Sequence, residues 1–394
     1  MKTNVNLEDL KIAYSAKNNQ ELKFTYFIFC ILQFPRLLKL LTACATGIIN
    51  YRLPLQFFIK KTIFKLFCSG ETLDDAFRVI KKLDNYKVLS VLDYVSEGEK
   101  NQVAYTKNTD IITSNIVRLG KESPGNFVSV KISGLEDPAF LEKINGREIP
   151  VELSDKMRFE KLVERIDHIC STAAKSNVVI FIDAEDRCMQ DVLDKITEQM
   201  METYNKKYAV VFNTLQMYLN DRLEYLNFLV KEAKEKKYIS GVKLVRGAYV
   251  EKERAAAAAK NKPSPVFDTK AETDASFDAA VEVCLKNHSV IDTCVASHNA
   301  KSILWAIECI EKHQVPDAYH KVRFSQLYGM SDNLSFNLAA AGYNTSKYLP
   351  YGEIKKAIPY LIRRAEENSS ISGQMVGELT RLKNEIYRRK EAIK

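Results

Sequence analysis

The sequence contains no CxxC pair and no cysteine–histidine cluster at ligand spacing. Its eight cysteines, Cys30, Cys44, Cys68, Cys170, Cys188, Cys284, Cys294 and Cys309, are scattered. That distribution argues against a zinc site and suits reduced core thiols of a cytosolic protein. No metal is expected. There is no GxGxxG and no GxxxxGK[ST], so the commonest dinucleotide and phosphate-cradling fingerprints are missing. RNP, zinc-finger and basic-zipper patterns are missing too, and no nucleic-acid partner is expected. The N-terminus, MKTNVNLEDLKIAYSAKNNQELK, lacks a secretory apolar core. It carries acids and no arginine, which does not support a mitochondrial transit peptide. The apolar run 24–34, FTYFIFCILQF, is too short to span a bilayer and stops at Pro35. It reads as a buried helix, with a helix lying in a membrane interface as the alternative.

What is present is an ordinary globular balance: 394 residues, 46% hydrophobic and 27% charged. The length fits two or three average domains, or one large α/β barrel with an appendage. The net charge is +8, helped by the C-terminal RLKNEIYRRKEAIK. A basic edge of this size suits an anionic membrane surface better than nucleic acid.

Two zones divide the chain. Residues 1–120 read as a helical N-terminal region. Within it, SGETLDDAFRVIKKLDNYKV has Ser69 or Thr72 as a cap, acids in the first turn and lysines late. Residues 121–394 alternate short β-branched runs with helical segments. The runs are 127–132 (FVSVKI), 178–182 (VVIFI), 209–212 (AVVF), 240–245 (SGVKLV), 290–295 (VIDTCV) and 321–324 (KVRF), with a weaker one at 343–349. Apolar runs separated by helices indicate a parallel sheet covered on both faces. Their number and spacing predict an α/β fold, a distorted (β/α)8 TIM-like barrel, with a doubly wound open sheet as the alternative.

In such a barrel the chemistry sits at the C-terminal strand ends. The predicted strands end at polar residues: Lys131, Asp183, then Gln216 just beyond, Lys243 and Arg246, Ser297-His298-Asn299, Gln326 beside Leu327, and Tyr348. One polar strand end usually just meets solvent. Seven in succession on one predicted rim point to a site. The segment YLPYGEIKKAIPYLIRRAEEN adds Tyr360, Arg363, Arg364 and Glu367 at i, i+3, i+4 and i+7, one face of a helix that Pro359 opens or kinks. Adjacent guanidiniums offer bidentate donors to one carboxylate, and Tyr348 and Tyr360 offer flat faces to a small ring. Asp183 is suited to pair with a lysine or a cationic amine. Lys131 is suited to pair with Asp183 or to act as a covalent amine.

KLVRGAYVEKER and YLPYG…PYLIRRAEEN, with FIDAED, ASHNA and QLYGM in the same order, resemble the proline dehydrogenase family over roughly residues 70–385. The resemblance implies an FAD-dependent barrel enzyme that oxidises L-proline to Δ1-pyrroline-5-carboxylate by hydride transfer to the flavin. It implies that Arg363 and Arg364 bind the proline carboxylate, and that Tyr348, Tyr360 and Leu327 pack on the ring. Lys131 and Asp183 would close the pocket near the amine and flavin, and Tyr249 would support the arginines. Gln216, Lys243, Arg246, Gly247, His298, Lys270, Thr273 and Glu367 would belong to the cofactor site. Many bacterial members carry arginine where this chain has Lys243, which keeps the charge and loses the fork. The resemblance further implies a quinone acceptor at the membrane surface and a separate pyrroline-5-carboxylate dehydrogenase downstream. The expected location is cytoplasmic, peripheral to a bacterial inner membrane.

On the residues alone, a pyridoxal-phosphate or aldolase-like barrel using Lys131 or Lys243 as a Schiff-base amine stays open. So does a scaffold without catalysis, which the filled rim argues against.

Overall fold

A computed structural model describes residues 5–34, 59–95, 101–146, 152–370 and 372–392. Cys44 and Pro35 lie outside them, as do the side chains of Pro359 and Glu367. The strands are β1 (Leu89–Tyr94), β2 (Phe127–Val130), β3 (Val179–Ile182), β4 (Val211–Gln216), β5 (Ser240–Val245), β6 (Ile291–Ala296), β7 (Val322–Leu327) and β8 (Asn344–Tyr351). They close a barrel in chain order. The pairings are parallel, with Phe181 beside Phe212, Thr214 beside Lys243 and Val91 beside Tyr348. The open-sheet alternative is thereby excluded.

The expected division at residue 120 needs correction. β1 lies inside the stretch read as a helical region and pairs with β8. Its sequence, LSVLDY, carries Ser90 and Asp93 among its apolar residues and lies within a stretch of helical periodicity, which masks it. Both polar residues are nevertheless buried. The chain divides by compactness into Met1–Glu97 with Gln326–Lys394, and Gly98–Ser325.

In Gly98–Ser325 the strands carry a floor of aromatic rings. Phe127 and Phe181 have centroids 5.5 Å apart, and Phe181 meets Phe212 edge-on at 5.3 Å. Each such fully buried ring contributes about 1.5–3 kcal/mol of burial free energy. The alternate residue Asn213 turns to the helices, donating to Asp194 at 2.9 Å and to the Tyr225 hydroxyl at 3.2 Å. That bonding lets a polar residue sit inside a strand, so β4 runs on to Gln216 although the apolar run stops at Phe212.

In the other unit, α1 (Leu10–Ala13) and α2 (Asn19–Leu32) pack with the C-terminal helices. Asn18 and Glu21 form a reciprocal capping box for α2. Thr72, not Ser69, caps the helix Leu73–Asp84, with Asp75 completing the box. The run 24–34 behaves as a buried helix: Thr25, Ile28, Phe29 and Leu32 enter the core, while Phe27 and Phe34 remain 59% and 60% exposed. Among the described residues no helix is long and apolar enough to cross a membrane.

Candidate active site

The expected site residues fall into two groups, one in each compact unit. In Gly98–Ser325, Lys131, Asp183 and Lys243 come together. Asp183 follows β3 directly, two residues past Phe181 and therefore on the same face of the strand. Its Oδ1 accepts from Lys243 Nζ at 2.6 Å, and its Oδ2 lies 3.8 Å from Lys131 Nζ. The Lys243 side chain is 5% exposed, its ammonium 5.3 Å from the Phe181 ring centroid. One carboxylate thus holds two cations over an aromatic floor. Lys131 had been the foreseen lysine partner; Lys243 makes the shorter contact.

Around this cluster, the carboxyl of Glu185 is pushed up by burial while accepting the Ser133 amide at 2.9 Å. Gln216, buried at the end of β4, donates to the Glu185 carbonyl at 2.7 Å. Arg246, just past β5, is fully braced. It donates to Asp274 at 2.6 Å and to Ser297 and Ser302 at 2.9 Å each, with its guanidinium 4.3 Å from the Phe277 centroid. Burial works to raise the Asp274 carboxyl, but hydrogen bonds from Lys270 and Arg246 bring it below its usual range. Lys270 and Thr273, expected in the cofactor set, open the helix Lys270–Lys286. Lys270 is largely exposed and paired to Asp274. The Thr273 hydroxyl donates to the Thr269 carbonyl at 3.4 Å.

Gly247 has φ +124°, and a Cβ there would sit 2.1 Å from the Tyr218 ring. That close approach requires glycine. Tyr249 is the residue that caps the helix Val250–Ala259, and its ring lies 5.9 Å from the Lys252 ammonium. His298 is half-buried. Of its neighbours, Ser297 accepts from Arg246 and Asn299 caps the next helix.

The second group lies in the unit formed by Met1–Glu97 and Gln326–Lys394. Tyr348 is buried in β8, and its carbonyl accepts the Tyr328 amide at 3.0 Å. Leu327 packs against the core cluster that contains Tyr360. The helix Ile354–Ser370 starts upstream of Pro359, so that proline does not open it. Ile354, Ala357, Ile358 and Leu361 bury one face of the helix, which explains the apolar residues before the two arginines. Arg363 and Arg364 are half-buried, and the Arg364 guanidinium lies 5.3 Å from the Tyr360 ring centroid. Glu367 is on the same helix.

The family model described as proline dehydrogenase matches residues 76–376. The chain belongs to the proline dehydrogenase family. Members of this family are oxidoreductases. Proline dehydrogenase 1, mitochondrial, of Dictyostelium discoideum is 29% identical over 97% of this chain and 74% of that protein. The carbapenem antibiotics biosynthesis protein CarD of Pectobacterium carotovorum is 30% identical over 88% of this chain and 93% of that one. Proline utilization A from Bdellovibrio bacteriovorus, solved after inactivation by N-propargylglycine, superposes with a TM-score of 0.71 at 22% identity. That match covers 91% of this chain and 38% of that one. At that identity it speaks to the fold alone.

Family membership does not favour the Schiff-base reading. Sequence reasoning missed Asp274, Ser297 and Ser302 as the partners of Arg246, although Asp274 directly follows Thr273. It also missed Glu185, which FIDAED contains.

Proposed function

We propose that the chain oxidises L-proline to Δ1-pyrroline-5-carboxylate with FAD as the immediate acceptor, and passes the electrons to a quinone at a membrane surface. The observation that carries the reading is the adjacent pair Arg363–Arg364, with Arg364 stacked near Tyr360, inside the family match. Paired guanidiniums bind one carboxylate through several charge-assisted hydrogen bonds. Tyrosine and leucine faces suit a small saturated ring. L-Proline has both features.

The residues fit a flavin dinucleotide by their donor chemistry. Lys243 stands within β5, and Gln216, Arg246 and His298 stand at or beyond the ends of β4, β5 and β6. All are donors, and two are cations that suit phosphate or a ring gaining negative charge. Gly247, Lys270, Thr273 and Glu367 complete the proposed cofactor set. When bound, FAD supplies the acceptor for the hydride leaving C5 of proline.

The chain's own residues do the rest. Arg363 and Arg364 hold the carboxylate, and Tyr348, Tyr360 and Leu327 exclude water around the ring. Asp183 holds the Lys243 and Lys131 side chains in place. Those two cations would offset the negative charge that the hydride acceptor gains when C5 gives up its hydride. The imine product then passes to a separate dehydrogenase.

Purified protein is expected to show flavin bands at about 370 and 450 nm that bleach when L-proline is added without oxygen. A colourless, folded protein unable to take up FAD would falsify this. A Schiff-base band at about 410 nm would instead point to the lysine chemistry.

The acceptor is tested by turnover with proline and either a soluble quinone analogue or NAD. Quinone should support turnover with parallel double-reciprocal lines, while NAD should be inert. Exposed Phe27 and Phe34 and the net charge of +8 support peripheral contact with an anionic surface. Rapid NAD reduction with no turnover on quinone would reject the acceptor assignment.

A further inference from the structure

Lys347 stands in β8 immediately before Tyr348, so their side chains point to opposite faces of the strand. The Lys347 side chain is 1% exposed. Its ammonium donates to the Met330 carbonyl, reaches the Leu327 carbonyl at 3.5 Å, and lies 2.9 Å from Asp332 Oδ1. The other Asp332 oxygen accepts from Lys17, which stands just before α2. Burial acts to raise the Asp332 carboxyl, yet Lys17 and Lys347 hold it at about 2.

The surrounding bonds tie the same two segments together. Asn333 donates to the Leu7 carbonyl at 3.1 Å and Asn337 to the Asp9 carbonyl at 3.2 Å. The Ser331 amide donates to Glu378 at 2.6 Å, and the Tyr14 hydroxyl reaches the other Glu378 oxygen at 3.4 Å. Arg389, near the C-terminus, donates to the carbonyls of Lys17 and Tyr14, each at 2.8 Å. The N-terminal stretch is thus fastened to the segment that directly follows Leu327, the last residue of β7.

A buried lysine and a half-buried one on a single buried carboxylate are costly to desolvate, and well-packed apolar residues would often serve stability as well. What such a cluster adds is a defined position for the backbone it grips. Here it grips the carbonyls of Leu327 and Met330, while Tyr328 bonds across to Tyr348.

We propose that Lys17, Asp332 and Lys347 form a positioning element that sets Leu327 and Tyr348 for the substrate ring and makes substrate affinity depend on the N-terminal segment. This rests on the reading of Leu327 and Tyr348 as ring-packing residues. None of the three is placed in the binding or catalytic set.

The test uses the full-length flavin-loaded enzyme and Lys17→Met. Asp332 keeps Lys347 in that variant, so no buried charge is stranded. Lys17 also lines a cavity of about 360 Å³ with Phe24, Tyr328 and Phe336, which leaves room for the new side chain. KM for L-proline and Kd for tetrahydrofuran-2-carboxylate should each rise about tenfold, with kcat changed less than about twofold. Lys17→Arg should restore both. Amide hydrogen exchange should quicken at Tyr328 and Met330 in Lys17→Met and return to the parent rate in Lys17→Arg.

Parent-like KM, Kd and exchange in Lys17→Met would overturn the proposal. Equal losses of kcat and affinity that Lys17→Arg does not restore would also overturn it, as the mark of a merely structural role. If the parent enzyme itself leaves its flavin oxidised in L-proline, the substrate reading fails separately. Exchange then decides the coupling: faster exchange in Lys17→Met upholds it, and unchanged exchange overturns it.

Discussion

Replacing Arg364 with alanine is expected to raise the KM for L-proline roughly ten- to a hundredfold, the loss of about 1.5–3 kcal/mol for a charge-assisted contact. The change should fall on KM and leave kcat nearly intact, because the carboxylate keeps its charge throughout the reaction. Arg364 also stacks near Tyr360 at 5.3 Å. Arg364→Lys therefore keeps the charge but loses the fork and the planar stacking surface, and should lie between parent and alanine variant. Arg363→Ala should show the same direction, since both arginines leave the same half-buried helix face. Steady-state kinetics check this. An unchanged KM in both alanine variants would remove the carboxylate assignment.

Asp183→Ala should be the more damaging substitution for the fold. The Lys243 side chain is 5% exposed, and Asp183 is its carboxylate at 2.6 Å. Removing one partner of a buried pair leaves a charge in a poorly solvated place and costs about 3–5 kcal/mol. Lys131 adds to the effect, because its ammonium lies 3.8 Å from the same carboxylate. Asp183→Asn retains the shape and an acceptor oxygen and should cost less. Lys131→Met should cost less still, since that side chain is 22% exposed and its pair is correspondingly screened. Denaturant unfolding of the three variants gives the order. Equal midpoints for parent and Asp183→Ala would show that the Lys243 ammonium does not depend on this carboxylate.

The runs 127–132 to 343–349 were legible as barrel strands because each is a short β-branched stretch between helical segments. Their ends were not. β4 continues through Asn213 and Thr214 to Gln216 because neighbouring helices satisfy Asn213. β1 escaped notice because Ser90 and Asp93 interrupt its pattern, and because helices surround it on both sides. The reach of β4 depended on hydrogen-bond partners of Asn213 that local sequence pattern does not show.

The sequence by itself determined the parallel barrel class, the family, the row of polar strand ends and the shared helix face of Tyr360, Arg363 and Arg364. These depend on periodicity and on short contiguous motifs, which are properties of neighbouring residues. Only the tertiary structure decided that Asp183 takes Lys243 at 2.6 Å and Lys131 at 3.8 Å. It also decided that Asp274 braces Arg246, that Tyr218 requires Gly247, and that Lys17 and Lys347 share Asp332. Each of these joins residues from separate segments whose approach is set by strand register and helix packing. An ion pair is made or lost over a few ångströms, and local sequence pattern carries no information at that range.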